Sequence, residues 1–222
     1  MFNRRDTVSR VVLDHSECAG VFQRHRIDFC CRGNVSIETA AQERDVDTTA
    51  LLVELDRAVS QRTSPPQSSP RDLSTNALVE HIVTTHHHYL REVLPFVCTL
   101  SAKVRHVHGD HNPKLHALDE VVQELTRALL PHLDEEEAVL FPALIAGTNP
   151  SQLAEQLAAM LREHLDVAAL LERMRAASDD YAIPDWACNS YRTLFSELSK
   201  IETDTFTHVH LENHVLMPRF TH

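Results

Sequence analysis

Histidine is the residue in excess: the chain of 222 residues holds 16, and 14 of them lie from His81 onward. Imidazole can ligate a metal, carry a proton or simply fill a hydrogen-bonding niche, and spacing decides among these. Two histidines are followed four positions later by glutamate, His132 with Glu136 and His208 with Glu212. On a helix, residues four apart share a face with Cβ atoms about 5–6 Å apart, so each pair sets an imidazole beside a carboxylate. One such pair alone is ordinarily a solvated surface contact, so the company it keeps matters.

That company is apolar. Alternating steps of four and three give Leu118, Val122, Leu125, Leu129, His132, Glu136, Val139 in one segment and Leu194, Leu198, Ile201, Thr205, His208, Glu212, Val215 in another. A third segment gives Leu153, Leu157, Met160, His164, Val167, Leu171, Met174, with one histidine in a core stripe. A fourth is ambiguous because His86, His87 and His88 are consecutive. Stepping through His86 meets Val79, Ile82, Leu90 and Val93; stepping through His87 meets Val83, Leu90, Leu94 and Val97. His88 faces water, beside Thr84, Thr85, Arg91 and Glu92, whereas periodicity leaves His86 and His87 equivalent.

Carboxylates isolated in an apolar core cost several kcal/mol apiece unless paired or metal-bound, and these stripes place no Lys or Arg at matching positions. Four histidines and two glutamates exceed the four ligands of a structural zinc. All-oxygen shells suit calcium or magnesium, while mixed imidazole and carboxylate in a bundle core suits iron or manganese, commonly in pairs. Two iron ions bridged by two carboxylates fit best. The Glu-x-x-His spacing of ferritin-like oxidases is absent.

Positioning these groups requires four long helices, read at about 73–107, 114–146, 150–177 and 185–219 and separated by HGDHNP, GTNP and SDDYAIP. Short loops between long helices make neighbours antiparallel. Asn149 and Pro150 stand at a helix start, and kinks are expected at Pro95, Pro131 and Pro142. The fold class is all-α: a C-terminal antiparallel four-helix bundle over 73–222 and a small helical domain over 1–60. Between them, residues 61–72 read as a solvated connector rich in Ser and Pro.

Composition narrows the partners. With 21 Lys plus Arg against 32 Asp plus Glu, the net charge of −11 repels a phosphate backbone, so no nucleic acid is expected. No apolar run reaches the roughly 20 residues that span a bilayer, and the N-terminus MFNRRDTVSR lacks a signal-peptide core, so the expected location is the cytoplasm, away from membranes. Cys18, Cys30, Cys31, Cys98 and Cys188 form no disulfide framework.

The segments RIDFCCRGN, EHIVTTHHHYLREVLP, HLDEEEAVLFP, REHLDVAALL and HVHLENHVLMPRF together resemble the RIC family, the di-iron proteins for repair of iron centres. The resemblance covers nearly the whole chain and implies a hemerythrin-like bundle behind a small two-cysteine domain. In that family each HxxxE leads through an apolar stretch to Pro, as His132 to Pro142 and His208 to Pro218 do here. Anchoring on His81 and Leu94-Pro95 places the family's ligand position at His87. The resemblance thus implies His87, His132, His164 and His208 as terminal ligands and Glu136 and Glu212 as bridges, beside an oxo or hydroxo group. One histidine fewer than in oxygen-carrying hemerythrin leaves an exchangeable coordination position.

Cys30 and Cys31 correspond to the family's two-cysteine motif, with a thiol role or transient iron handling implied; two buried inert cysteines are the alternative. Arg32 stands where the family usually has glycine, and a neighbouring guanidinium would favour a thiolate at Cys31. Glu135, Glu137 and Glu163 either orient ligand imidazoles through their outer N–H groups or are ordinary helix charge. His108 either lines a route to the site or is a surface histidine. The implied function is repair of iron-sulfur clusters damaged by nitrosative or oxidative stress, by iron donation, with damaged iron-sulfur proteins as partners. The alternatives are reduction of nitric oxide or oxygen at the iron pair, and gas or iron sensing; a homodimer is left open.

Overall fold

The computed structural model describes residues 2–62, 70–148 and 150–220, with the side chains of 150 and 152 excepted. Of the connector expected at 61–72, residues 63–69 lie outside the described residues, as does Asn149. The described residues are helical, joined by turns and by one isolated bridge between Thr7 and Ser36, and no helix is long and apolar enough to cross a membrane. Contacts divide the chain into two compact units, Met1–Leu78 with Phe206–His222, and Val79–Thr205.

Among its described residues the first unit includes the short helices α1 (Val8–Asp14), α2 (Ala19–Arg24), α3 (Ile37–Glu43) and α4 (Thr48–Ser60). Side chains set two of the starts. Ser36 accepts a hydrogen bond from the Thr39 amide at the head of α3, and Asp47 one from Ala50 at the head of α4, each satisfying a donor the helix itself cannot. The core is Val8, Val11, Val21, Phe22, Phe29, Ile37, Leu51 and Leu55, joined by Val209 from the C-terminal segment. Glu17 and Arg62 pair at its rim.

The second unit is the bundle. Its first limb runs from the end of α5 (Thr75–Ile82) through Val83–His87 into α6 (His88–His108), and its second is α7 (Lys114–Glu135), Glu136–Leu140 and α8 (Phe141–Ile145). The third is α9 (Pro150–Ala177), and the fourth is α10 (Asn189–Leu211), whose last residues are counted with the first unit. Helix α6 packs on α7 and α7 on α9. Arg175 of α9 donates to Glu202 of α10 (Nε to Oε1 2.8 Å), and His86 meets Asp204 of α10 at 2.8 Å. Leu90, Leu94, Leu118, Leu125, Leu171, Leu194 and Leu198 are sealed inside, as the stripes require.

Helices α6 and α7 run on through Pro95 and Pro131. Backbone geometry departs from α at Val83–His87, Glu136–Leu140 and Glu212–Leu216, three single π turns. A π turn fits one extra residue into the helix, so the inward face slips by one position beyond it. Val139, expected in the core, is therefore 52% exposed, and Leu140 takes its place. Pro142 and Pro218 follow just after two of these turns, at the first positions of a restarted helix, where a missing N–H is least costly.

Candidate metal centre

Within the bundle, His87, His132, Glu136 and His164 come together in the core, each no more than 6% exposed. Glu136 lies at the focus. Its Oε2 is 3.4 Å from His87 Nε2, and its Oε1 is 3.3 Å from His132 Nε2 and 3.9 Å from His164 Nε2. The His132 and His164 Nε2 atoms are 3.2 Å apart. Each helix contributes as its stripe dictates: α7 presents His132 one turn before Glu136, and α9 presents His164 between Met160 and Val167. The π turn Val83–His87 distinguishes the two candidates of the first limb, burying both but aiming His86 at Asp204 and His87 at Glu136.

The outer ring nitrogens are held as well. Glu137 Oε1 accepts from His87 Nδ1 at 2.9 Å and from Arg91 at 3.0 Å, and Glu163 Oε2 accepts from His132 Nδ1 at 2.7 Å. Both bonds keep the proton on Nδ1 and turn an Nε2 lone pair inward. Burial raises the Glu137 carboxyl, but the bonds from His87 and Arg91 outweigh it and hold the group below the usual carboxylate range. Glu135 and Glu163 flank a small cavity that reaches His132 and Glu136 between α7 and α9.

The fit to a cation can be tested on Glu136 itself. Both of its oxygens are buried, and neither accepts a hydrogen bond among the described residues. The imidazole nitrogens of His87 and His132 that face it have their protons engaged on the far side of the ring. An uncompensated carboxylate in such a place costs several kcal/mol, which a cation held by the same inward lone pairs would remove. Three imidazoles and a carboxylate suit a borderline transition metal such as iron.

In the other unit, the C-terminal segment carries His208 and Glu212, both fully buried, with His208 Nε2 2.9 Å from Glu212 Oε1. The second π turn of an HxxxE pair begins at Glu212, as the first begins at Glu136.

The two-cysteine loop belongs to this same unit. Cys30 is 1% exposed and Cys31 partly exposed, with sulfurs 3.4 Å apart. Asp28 Oδ1 accepts from the amides of Cys30 (3.0 Å) and Cys31 (2.8 Å) and from the Cys30 thiol (3.2 Å). Burial pushes the Cys30 thiol well up, and the contact with Cys31 and the Asp28 charge add to it. Cys31 is thus the reachable sulfur. Gly33 closes the loop, since a Cβ there would stand 2.3 Å from the Phe29 carbonyl oxygen and 2.7 Å from Ser9 Cβ.

Three residues absent from the sequence-derived site hold the other side of this loop. His210 Nδ1 donates to the Phe29 carbonyl (3.1 Å), and Asn213 (3.0 Å) and His214 (2.8 Å) both donate to the Cys30 carbonyl. Burial and the neighbouring His214 depress His210 to about 3, so it donates as a neutral ring. Their signal was a second histidine pair at helical spacing, 210 and 214, interleaved with the first. His108, by contrast, lies at 3.2 Å from Cys188 against the Trp186 ring.

Comparison with known proteins supplies the remaining observations. Residues 78–220 match the hemerythrin family, described as the hemerythrin HHE cation binding domain, and residues 4–59 match ScdA_N, described as a domain of unknown function. The iron-sulfur cluster repair protein ScdA of Staphylococcus haemolyticus is 30% identical over 224 residues, covering 100% of both chains. The iron-sulfur cluster repair protein YtfE of an Enterobacter species is 29% identical, over 97% of this chain and 96% of its own. A probable iron-sulfur cluster repair protein of Haemophilus influenzae is 29% identical, over 90% and 89%.

Proposed function

From a chain that belongs to the repair-of-iron-centres family, we infer a protein that repairs iron-sulfur clusters by holding two iron ions and surrendering iron to a damaged cluster protein. The observation that carries this reading is Glu136, a buried carboxylate that accepts no hydrogen bond among the described residues, ringed by His87, His132 and His164. We assign those four residues together with His208 and Glu212 as the ligand set, with Glu136 and Glu212 as bridges. The match to a cation-binding family over 78–220 spans all six positions.

The residues themselves favour a releasable load. Iron held by these residues would supply an exchangeable, redox-active cation. Neutral imidazoles with only two carboxylates leave the centre less negative than a carboxylate-rich cage, and ligand imidazoles compete with protons for their Nε2 lone pairs. Glu137 and Glu163 keep His87 and His132 turned inward, so the site is preorganised for reloading. Five cysteines outside any disulfide suit a reducing compartment, and we place the protein in the cytosol on that ground.

Reconstitution tests the reading. Iron-loaded protein is mixed anaerobically with a cluster enzyme inactivated by nitric oxide or peroxide, with a chelator that removes free iron, and recovery is followed alongside loss of iron from the donor. Recovery should track the loaded protein and fail with His132→Ala. Recovery by free iron but not by loaded protein would reject donation. Sustained anaerobic consumption of nitric oxide beyond the stored electrons would replace it with gas reduction.

A further inference from the structure

The C-terminal segment Phe206–Phe220 does two things at once. His208 and Glu212 share one face, one turn apart. His210 lies two residues from each, about 200° around the helix, with His214 one turn further along. That second face, with Asn213, grips the carbonyls of Phe29 and Cys30 at 2.8–3.1 Å. The Phe29 ring adds edge contact with His210 at 5.4 Å and packs on Phe206 at 5.7 Å. Asn213 and His214 sit inside the π turn that opens at Glu212, so the shape of this turn fixes the assigned ligand and the grip together. On its other side the loop is held by the amides of Val8 and Ser9, which donate to the carbonyls of Val35 and Gly33. The loop is thus pinned between α1 and the turn.

We propose that His210, Asn213 and His214 form a clamp coupling metal occupancy at His208 and Glu212 to the accessibility of the Cys30-Cys31 thiols. This rests on the assignment of His208 and Glu212 as ligands. Metal binding holds the Glu212–Leu216 turn in the shape that keeps Asn213 and His214 on the Cys30 carbonyl, so the loaded protein keeps Cys30 sealed and Cys31 half covered. Loss of metal lets the turn relax and frees the loop. Linkage makes the effect reciprocal: whatever loosens the loop weakens metal binding by the same factor.

The experiment uses the full chain, iron(II)-loaded and chelator-stripped, treated anaerobically with iodoacetamide. Alkylation of Cys30 and Cys31 is followed by peptide mass spectrometry, while iron content is measured in parallel. Loading should slow alkylation at the two cysteines about fivefold or more, the lower end of ordinary coupling factors. In Asn213→Leu and in His214→Phe the loaded and stripped rates should converge at the faster value. His214→Gln, whose amide can still donate to Cys30, should restore much of the difference, which a loss of folding would not allow. Circular dichroism of each variant checks that the helices persist. Normal iron content with the same loaded-to-stripped ratio in Asn213→Leu and His214→Phe as in the parent overturns the clamp and leaves the metal assignment standing. Failure of the parent chain to bind iron overturns both.

Discussion

Replacing Glu163 with glutamine isolates the contribution of one outer hydrogen bond to metal binding. Its Oε2 accepts from His132 Nδ1 at 2.7 Å, and no second charge shares that contact among the hydrogen bonds described, unlike Glu137, which also pairs with Arg91. Glutamine keeps the side-chain size and an acceptor oxygen but drops the negative charge that strengthens the imidazole as a donor to metal. Losses at such outer partners run about 10–100-fold in metal affinity. The Glu163 side chain is 46% exposed. Water screens it, which puts Glu163→Gln at about tenfold, or about 1.4 kcal/mol, and Glu163→Ala, which frees the ring to turn, further up the range. The assay is iron(II) competition against a chelator of known affinity, with the thermal midpoint of the metal-free protein as control. Unchanged affinity in both variants would refute the idea that Glu163 orients His132 toward the metal. A fall in the metal-free midpoint would trace the loss to packing instead.

Three further outcomes follow from the first unit. Gly33→Ala drives a methyl group against the Phe29 carbonyl and Ser9, and chemical denaturation should show that unit destabilised by about 1–3 kcal/mol; unaltered stability would mean the loop yields freely. Burial, helped by the Glu17 charge and opposed by Arg62, pushes the Cys18 thiol up to about 12, so iodoacetamide at pH 8 should leave Cys18 unmodified in the folded protein and modify it in urea. Burial alone would raise Glu17, but the Arg62 hydrogen bond outweighs it and lowers the carboxyl from its ordinary 4.5. The unfolded chain therefore binds the proton first as pH falls, so this pair stabilises the fold above about pH 4.5 and the benefit disappears as pH drops through the folded value. Arg62→Met should flatten that acid limb, as followed by urea titration between pH 3 and 6, and an identical limb in the variant would count against the pairing.

Much of the bundle was legible because its signals are periodic. Steps of four and three through Leu118 to Glu136 and through Leu153 to Met174 pick out side chains that are buried in the structure, with His132, Glu136 and His164 among them. The same rule fails where the period itself changes. It placed Val139 inside because it assumed an unbroken α-helix through Glu136–Leu140, and it could not separate His86 from His87 because the turn at Val83–His87 buries both on different sides. The prolines Pro95 and Pro131 lie within α6 and α7, and the π turns are where the pattern departs from the regular α-helix. The clamp on the cysteine loop was hidden for another reason. Its bonds join residues more than 180 apart, and they end on carbonyl oxygens, which leave no trace in side-chain type.

The π turns also bear on which changes the chain can tolerate. Because each π turn takes up one extra residue, removing one residue between Glu136 and Leu140 would close the turn to a regular spiral and leave everything downstream in phase. Phe141, now 1% exposed, would stay turned inward, and Leu144 with it. Exchanging one apolar residue for another at these positions leaves the phase untouched. Losing one residue from such a five-residue window therefore preserves the bundle's inner face, where losing one from a regular stretch of helix turns that face by about 100°.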